Sequence, residues 1–208
     1  MITLGSGIQT YNYDDYFFLA NRSQKCDFKT SFQLETDLQH LTIHFNCFDN
    51  PFTDFNTLNV HNQALYHQEV FEFFISLGKE ENTEYLEFEI NPNNAMWIGK
   101  IKNPLKDGKT HQLSTLFLPE PHLILHSVQK NENSWGGMIK IPWFFIGKSE
   151  DGFYRINICR IRAKTAPTET QWIGNSDNCD FVSWQKLKEN EEPAFHFPQC
   201  FALIKINS

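Results

Sequence analysis

Positive charge is scarce in this 208-residue chain: 18 Lys and Arg stand against 25 Asp and Glu, a formal net charge of −7. Binding a phosphate backbone takes a basic face, so nucleic acid is excluded as a partner. The same balance argues against an anionic membrane surface, and no apolar stretch approaches the ~20 residues that cross a bilayer as a helix. Cysteine is sparse as well. Cys26, Cys47, Cys159, Cys179 and Cys200 form an odd set with long spacings and no CxxC, which gives neither a zinc pattern nor a disulfide framework and fits a reducing compartment. The opening MITLGSGIQTYNYDDYFF lacks the basic segment and apolar run of a signal peptide. The chain therefore reads as cytoplasmic as written, and as secreted or periplasmic if the true start lies upstream. GxSxG, HExxH and Walker A patterns are missing, and so is any long amphipathic helix.

Aromatic residues are abundant at 15%, with 20 Phe, 6 Tyr and 5 Trp. Phe and Tyr favour strands, and their ring faces stack on planar or ring-shaped ligands. Strand patterns dominate. Residues 40–47 alternate, with Leu41, Ile43, Phe45 and Cys47 on one face. Residues 69–76 form a nearly continuous apolar run, as in a strand covered on both faces. Residues 84–91 alternate again, with Tyr85, Glu87, Glu89 and Asn91 opposite Leu86, Phe88 and Ile90. Further strands are predicted at 96–102, 111–117, 122–129, 134–141, 153–162 and 200–206. Asn-Pro and Asp-Gly turns separate several of them, and Pro142 opens a short helical turn over 142–147. Many short strands at regular spacing predict an all-β fold: a β-sandwich, jelly-roll or immunoglobulin-like, of two antiparallel sheets with few short helical turns, in a single domain over 1–208. The polar stretch 163–193 reads as a long loop region of the kind that carries binding residues.

Glu72 lies between Phe71 and Phe73, where a carboxylate is costly unless paired or open to a pocket. It reads equally as the partner of Arg160 or Arg162 and as the floor of a polar site. Glu87 and Glu89 share a strand face, as the acid pair of a glycosidase would, although alternate polar strand residues mostly face solvent. Histidines four apart on a strand, such as His40 and His44, are ~13 Å apart, too far for one metal. Cys47, Cys159 and Trp143 read as packing residues. Trp172 and Trp184 lie in the polar loop region, where a large apolar ring has less structural reason to be, and Trp97 follows the Asn91–Asn94 turn; exposed rings beside a carboxylate make a sugar platform.

Three segments in order resemble the family 9 carbohydrate-binding modules and their shorter bacterial relatives: Gln68-Glu69-Val70-Phe71-Glu72-Phe73-Phe74, the strand EYLEFEIN ending at Asn91, and the closing Ala194-Phe195-His196-Phe197-Pro198-Gln199-Cys200-Phe201-Ala202-Leu203. With IKIPWFFIG and FYRINICRI, the resemblance covers roughly residues 28–206. It implies a β-sandwich that holds a sugar chain end between two aromatic rings. In this chain those rings are Tyr66 and Phe195, with Glu72 and Asn91 contacting hydroxyl groups. The chain departs from the pattern in having Tyr66 and Phe195 where well-known members have Trp, Glu89 where they have Arg, and Ala202 where they have Gly. Family members hold calcium. Its ligands do not map onto this chain, and Asp49 and Asp54 are only loop candidates.

The expectation is thus a non-catalytic carbohydrate-binding protein using Tyr66, Glu72, Asn91, Trp97, Trp184 and Phe195, with a mono- or oligosaccharide as partner and no nucleic acid or membrane. The alternatives are a glycoside hydrolase using Glu72 with Glu87 or Glu89, and a protein-interaction sandwich that has lost sugar binding.

Overall fold

The computed structural model describes residues 1–4, 9–116, 123–169 and 172–206. Among these, the strands are β1 (Ile2–Leu4), β2 (Gln9–Leu19), β3 (Lys25–Thr36), β4 (His40–Phe48), β5 (Val70–Leu77), β6 (Glu84–Ile90), β7 (Met96–Lys102), β8 (Gln112–Thr115), β9 (Leu125–Asn131), β10 (Ser134–Pro142), β11 (Phe153–Ala163), β12 (Cys179–Ser183) and β13 (Ala202–Ile206). A single helical turn, α1 (Trp143–Ile146), follows Pro142 as its spacing predicts. Short 3-10 turns occupy Thr53–Phe55, Leu65–His67 and Pro198–Cys200.

Hydrogen bonding runs in the order β8-β7-β6-β5-β11-β12-β2-β3-β4-β10-β9. β13 shares an edge of β11 with β12 and carries β1, which is parallel to it; every other described pairing is antiparallel. The sandwich is therefore one sheet curled on itself rather than two separate sheets. Its two layers meet at a short β12–β2 seam, where Val182 pairs with Leu19 and Ser183 with Phe18.

The period of two assigns every side chain in the first layer to one of two faces. Phe71, Phe73, Phe88, Ile90, Met96 and Ile98 point between the layers and join Phe45, Ile43 and Trp135 in the main core. Phe45 stacks on Phe71 at 4.0 Å across the interface. The opposite face carries Val70, Phe74, Tyr85, Trp97, Cys159 and Ile161, roofed by Leu58, Leu65, Phe195, Phe197 and Phe201 from the connecting segments. β5 is buried on both faces for this reason, as its apolar run predicts.

A buried ion pair ties the layers together. Arg160 Nε lies 3.0 Å from Glu69 Oε1, with both side chains fully enclosed. Glu69 also accepts from Trp135 Nε1 at 2.8 Å and the Ala163 amide at 3.0 Å. The same guanidinium donates to the carbonyls of Lys29 and Phe48 and to Thr30 Oγ1.

Some sequence expectations are corrected. The stretch 163–193 is not all loop: it contains β12, whose five residues are too few to show a period. Residues 9–36, which gave no strand prediction, form the two long strands β2 and β3. The predicted ends at 117 and 122 lie outside the described residues, and β9 begins at Leu125.

Candidate functional site

The outer face of the first layer is organised in cross-strand rows. One row runs Ser183–Cys159–Glu72–Glu89–Trp97 through β12, β11, β5, β6 and β7. The next runs Asn157–Phe74–Glu87–Gly99–Thr115 through β11, β5, β6, β7 and β8. Three carboxyl groups are thereby brought onto one face. Glu72 and Glu89 are directly opposite, where Cβ atoms sit about 4.5–5.5 Å apart; Glu87 is diagonal to Glu72 and precedes Glu89 by two residues on the same face of β6.

These groups line a cavity of about 370 Å³ together with Tyr66, Trp97, Phe195, His67, His111 and His196. The volume falls within the roughly 300–1,000 Å³ of small-molecule sites. Tyr66, on the turn Leu65–His67, is 41% exposed and sits at the rim, whereas Trp97 and Phe195 are 5% and 6% exposed and lie deeper. Trp97 lies flat along its strand. A Cβ on Gly99 would stand 2.0 Å from its ring, so the glycine creates the space for the indole, whose Nε1 donates to Thr115 Oγ1 at 3.2 Å.

Glu72, Glu87 and Glu89 are nearly inaccessible. Among the described residues, none of them pairs with Lys or Arg. Burial pushes the Glu87 carboxyl up to about 8. Burial, then the neighbouring Glu87, holds Glu72 well above the usual range. Burial and then both neighbours do the same to Glu89, with the Tyr66 amide opposing. Glu89 Oε2 has no hydrogen-bond partner. A carboxyl held neutral both donates and accepts a hydrogen bond, which suits the hydroxyls of a polyol.

A histidine pair forms part of the wall. His196 stacks on His111 at 3.7 Å and meets the edge of Phe74. Its Nδ1 is 2.8 Å from Tyr85 Oη. Asn103 Nδ2 donates to that phenol oxygen. Burial, reinforced by His111, pulls His196 down to about 3.

Of the six residues predicted to touch sugar, Tyr66, Glu72, Trp97 and Phe195 share this cavity. Asn91 and Trp184 do not line it. Asn91 is fully buried, with its amide committed to the turn after β6: Oδ1 accepts from the amides of Asn93 and Ala95, and Nδ2 donates to the Leu58 carbonyl. Trp184 points the other way, edge-on to Phe32 at 5.1 Å in the interlayer core. The salt-bridge reading of Glu72 is also corrected, because Arg160 pairs with Glu69 and Arg162 with Asp180. Glu87 and Glu89, expected to face solvent, are covered by the segments that roof the cavity.

His67, His111 and His196 come from a turn, a loop and the closing segment, a convergence that no local spacing reveals. The Asp49 carbonyl accepts from Arg162 Nη1, and Asp54 faces Lys130 at 3.6 Å. Among the described residues, no group of three or more His, Cys, Asp and Glu is placed to hold a metal ion.

No family model matches the sequence. An extracellular protein of the fungus Arthroderma benhamiae is 25% identical over 163 residues, covering 75% of this chain and 73% of its own length. A candidate carbohydrate-binding protein from Bacteroides uniformis superposes with a TM-score of 0.63 at 16% identity, covering 99% of both chains. A family 9 carbohydrate-binding module from Caldicellulosiruptor kristjanssonii, solved with cellotriose, gives a TM-score of 0.54 at 13% identity over 100% of this chain and 93% of its own. The glucose complex gives 0.52 at 12% identity, over 99% and 96%. The fold of this chain is that of the family 9 modules.

Proposed function

We propose that this chain binds carbohydrate without transforming it, holding one pyranose at a chain end in the cavity bounded by Tyr66, Trp97 and Phe195. The observation that carries this reading is the pairing of aromatic walls with a floor of three buried carboxyl groups. Ring faces contact the C–H groups of a pyranose, and the carboxyls and His196 meet its hydroxyls. Two structural neighbours were solved with glucose and cellotriose, which supports a sugar of that class. The fungal relative is described as extracellular, which supports work on a polysaccharide outside the cell. An open cavity, not filled by side chains, argues against a sandwich that has lost its ligand. Isothermal titration with glucose, cellobiose and xylobiose tests the reading: saturable heat supports it, and silence across the panel at millimolar ligand overturns it.

A second reading is favoured by one observation, the three carboxyls facing one cavity, which a glycoside hydrolase would require. Hydrolysis, however, needs two carboxyls whose environments drive their pKa values apart, one staying ionised. Here Glu72, Glu87 and Glu89 are all shifted upward. Release of chromophore from aryl glycosides, abolished by Glu72→Gln, would establish the hydrolase instead.

A further inference from the structure

The charge inventory of the cavity bears on which sugar it takes. Its floor holds three carboxyl groups, and among the described residues no Lys or Arg side chain lines it. Glu69, just before the strand that carries Glu72, shows how this fold satisfies an enclosed carboxylate: a guanidinium, an indole N–H and a backbone amide all converge on it. Nothing comparable converges on the cavity carboxyls. Glu89 is 1% exposed and lines the cavity, yet its Oε2 has no partner. A buried acceptor without a donor is costly, and Glu89 is one of the residues that line the cavity.

Resting on the sugar-binding reading above, we propose that the preferred ligand is an amino sugar with a free ammonium group, seated over Glu89 between Glu72 and Glu87. An ammonium supplies three donors and one positive charge. Three crowded carboxyls offer acceptors and the capacity to ionise once a cation arrives. A neutral hexose satisfies the same oxygens with hydroxyls but gains nothing from their charge. A uronic acid brings a fourth carboxylate into a site with no cation to receive it and is rejected. An N-acetylated sugar loses the charge and behaves as a neutral ligand.

Proton traffic distinguishes the cases. The titratable groups facing the cavity are Glu72 from β5, Glu87 and Glu89 from β6, Tyr66 and His67 from the turn before β5, and His111 and His196 from the segments beside β8 and β13. An ammonium lowers the carboxyl pKa values, so its binding expels a proton near neutral pH. Glucose does not.

The experiment is isothermal titration of the full chain at pH 7 with glucosamine, glucose, N-acetylglucosamine and glucuronate, repeated in two buffers of different ionisation heat. The expected result is glucosamine at least tenfold tighter than glucose or N-acetylglucosamine, glucuronate silent, and buffer-dependent heat for glucosamine alone. In Glu89→Gln the ratio of glucosamine to glucose affinity falls severalfold, whatever the change in glucose affinity itself. Silence from all four sugars overturns the sugar site itself. Glucose bound as tightly as glucosamine, or full preference retained in Glu89→Gln, overturns only the amino-sugar assignment. Methylammonium competing as well as glucosamine also overturns it, by showing a cation hole indifferent to the sugar.

Discussion

Replacing Glu87 with Gln should flatten the dependence of stability on pH. In the unfolded chain this carboxyl has the ordinary value of 4.5, and in the folded chain burial raises it to about 8. Between those values the unfolded state is ionised while the folded state keeps its proton, so stability falls as pH rises through the window and the loss is complete above about pH 8. At ~1.4 kcal/mol per tenfold, the whole window amounts to about 5 kcal/mol, a large share of the ~5–15 kcal/mol stability of a typical domain. Glu72 and Glu89 act in the same direction. His67, His111 and His196 are held below their usual value and act in the opposite direction. Their destabilising effect is present below about pH 6.5 and relieved above it, and it is shared by both proteins. Urea denaturation at intervals from pH 5 to pH 8 gives both profiles. The Gln amide removes this window and also lowers the Glu72 and Glu89 carboxyls, which Glu87 helps to raise; both changes flatten the profile, so the slope is the readout. The parent should lose several kcal/mol more than Glu87→Gln across the range. Parallel profiles would refute the claim that Glu87 is held neutral by burial.

Tyr66→Ala removes a ring that is 41% exposed; stability should change by under ~1 kcal/mol, while sugar affinity measured by titration falls about 3–10-fold or more from lost stacking. Asn91→Ala should do the reverse, costing about 1–3 kcal/mol through unsatisfied turn groups and leaving sugar affinity unchanged; weaker binding at full stability would return Asn91 to the site. Chelation with EDTA should leave the thermal midpoint unmoved, since arginine or lysine already faces the calcium candidates; a drop of several degrees would reveal a structural metal.

The all-β architecture was legible because strands such as β4 and β6 carry strong alternation, and β5 shows the unbroken apolar run of a strand covered twice. β3 escaped because its buried positions include Thr30 and Thr36, which read as polar although their alternation with Phe28, Phe32 and Leu34 is regular. At the candidate site, Tyr66, Glu72, Trp97 and Phe195 were named from the sequence and line one cavity. Glu87 and Glu89 were misread because sequence shows parity and not cover: the alternation says they share a face, and only the distant closing segment decides that the face is roofed. Trp184 failed for a related reason, because the five-residue β12 before it is too short to reveal which way its successor points. The histidine wall depends on segments far apart in the chain and could not be read locally.

The central claim is that a sugar occupies the space between Tyr66, Trp97 and Phe195 above the carboxyl row. Heteronuclear NMR of the labelled chain during titration with glucose and glucosamine tests it most directly. The account predicts saturable shifts at the Trp97 indole N–H and at the backbone amides of Tyr66, Glu72, Glu89 and Phe195, with the Trp184 indole unmoved. Shifts concentrated on β4, β9 and β10 of the second layer, or no shifts at saturating sugar, would contradict it.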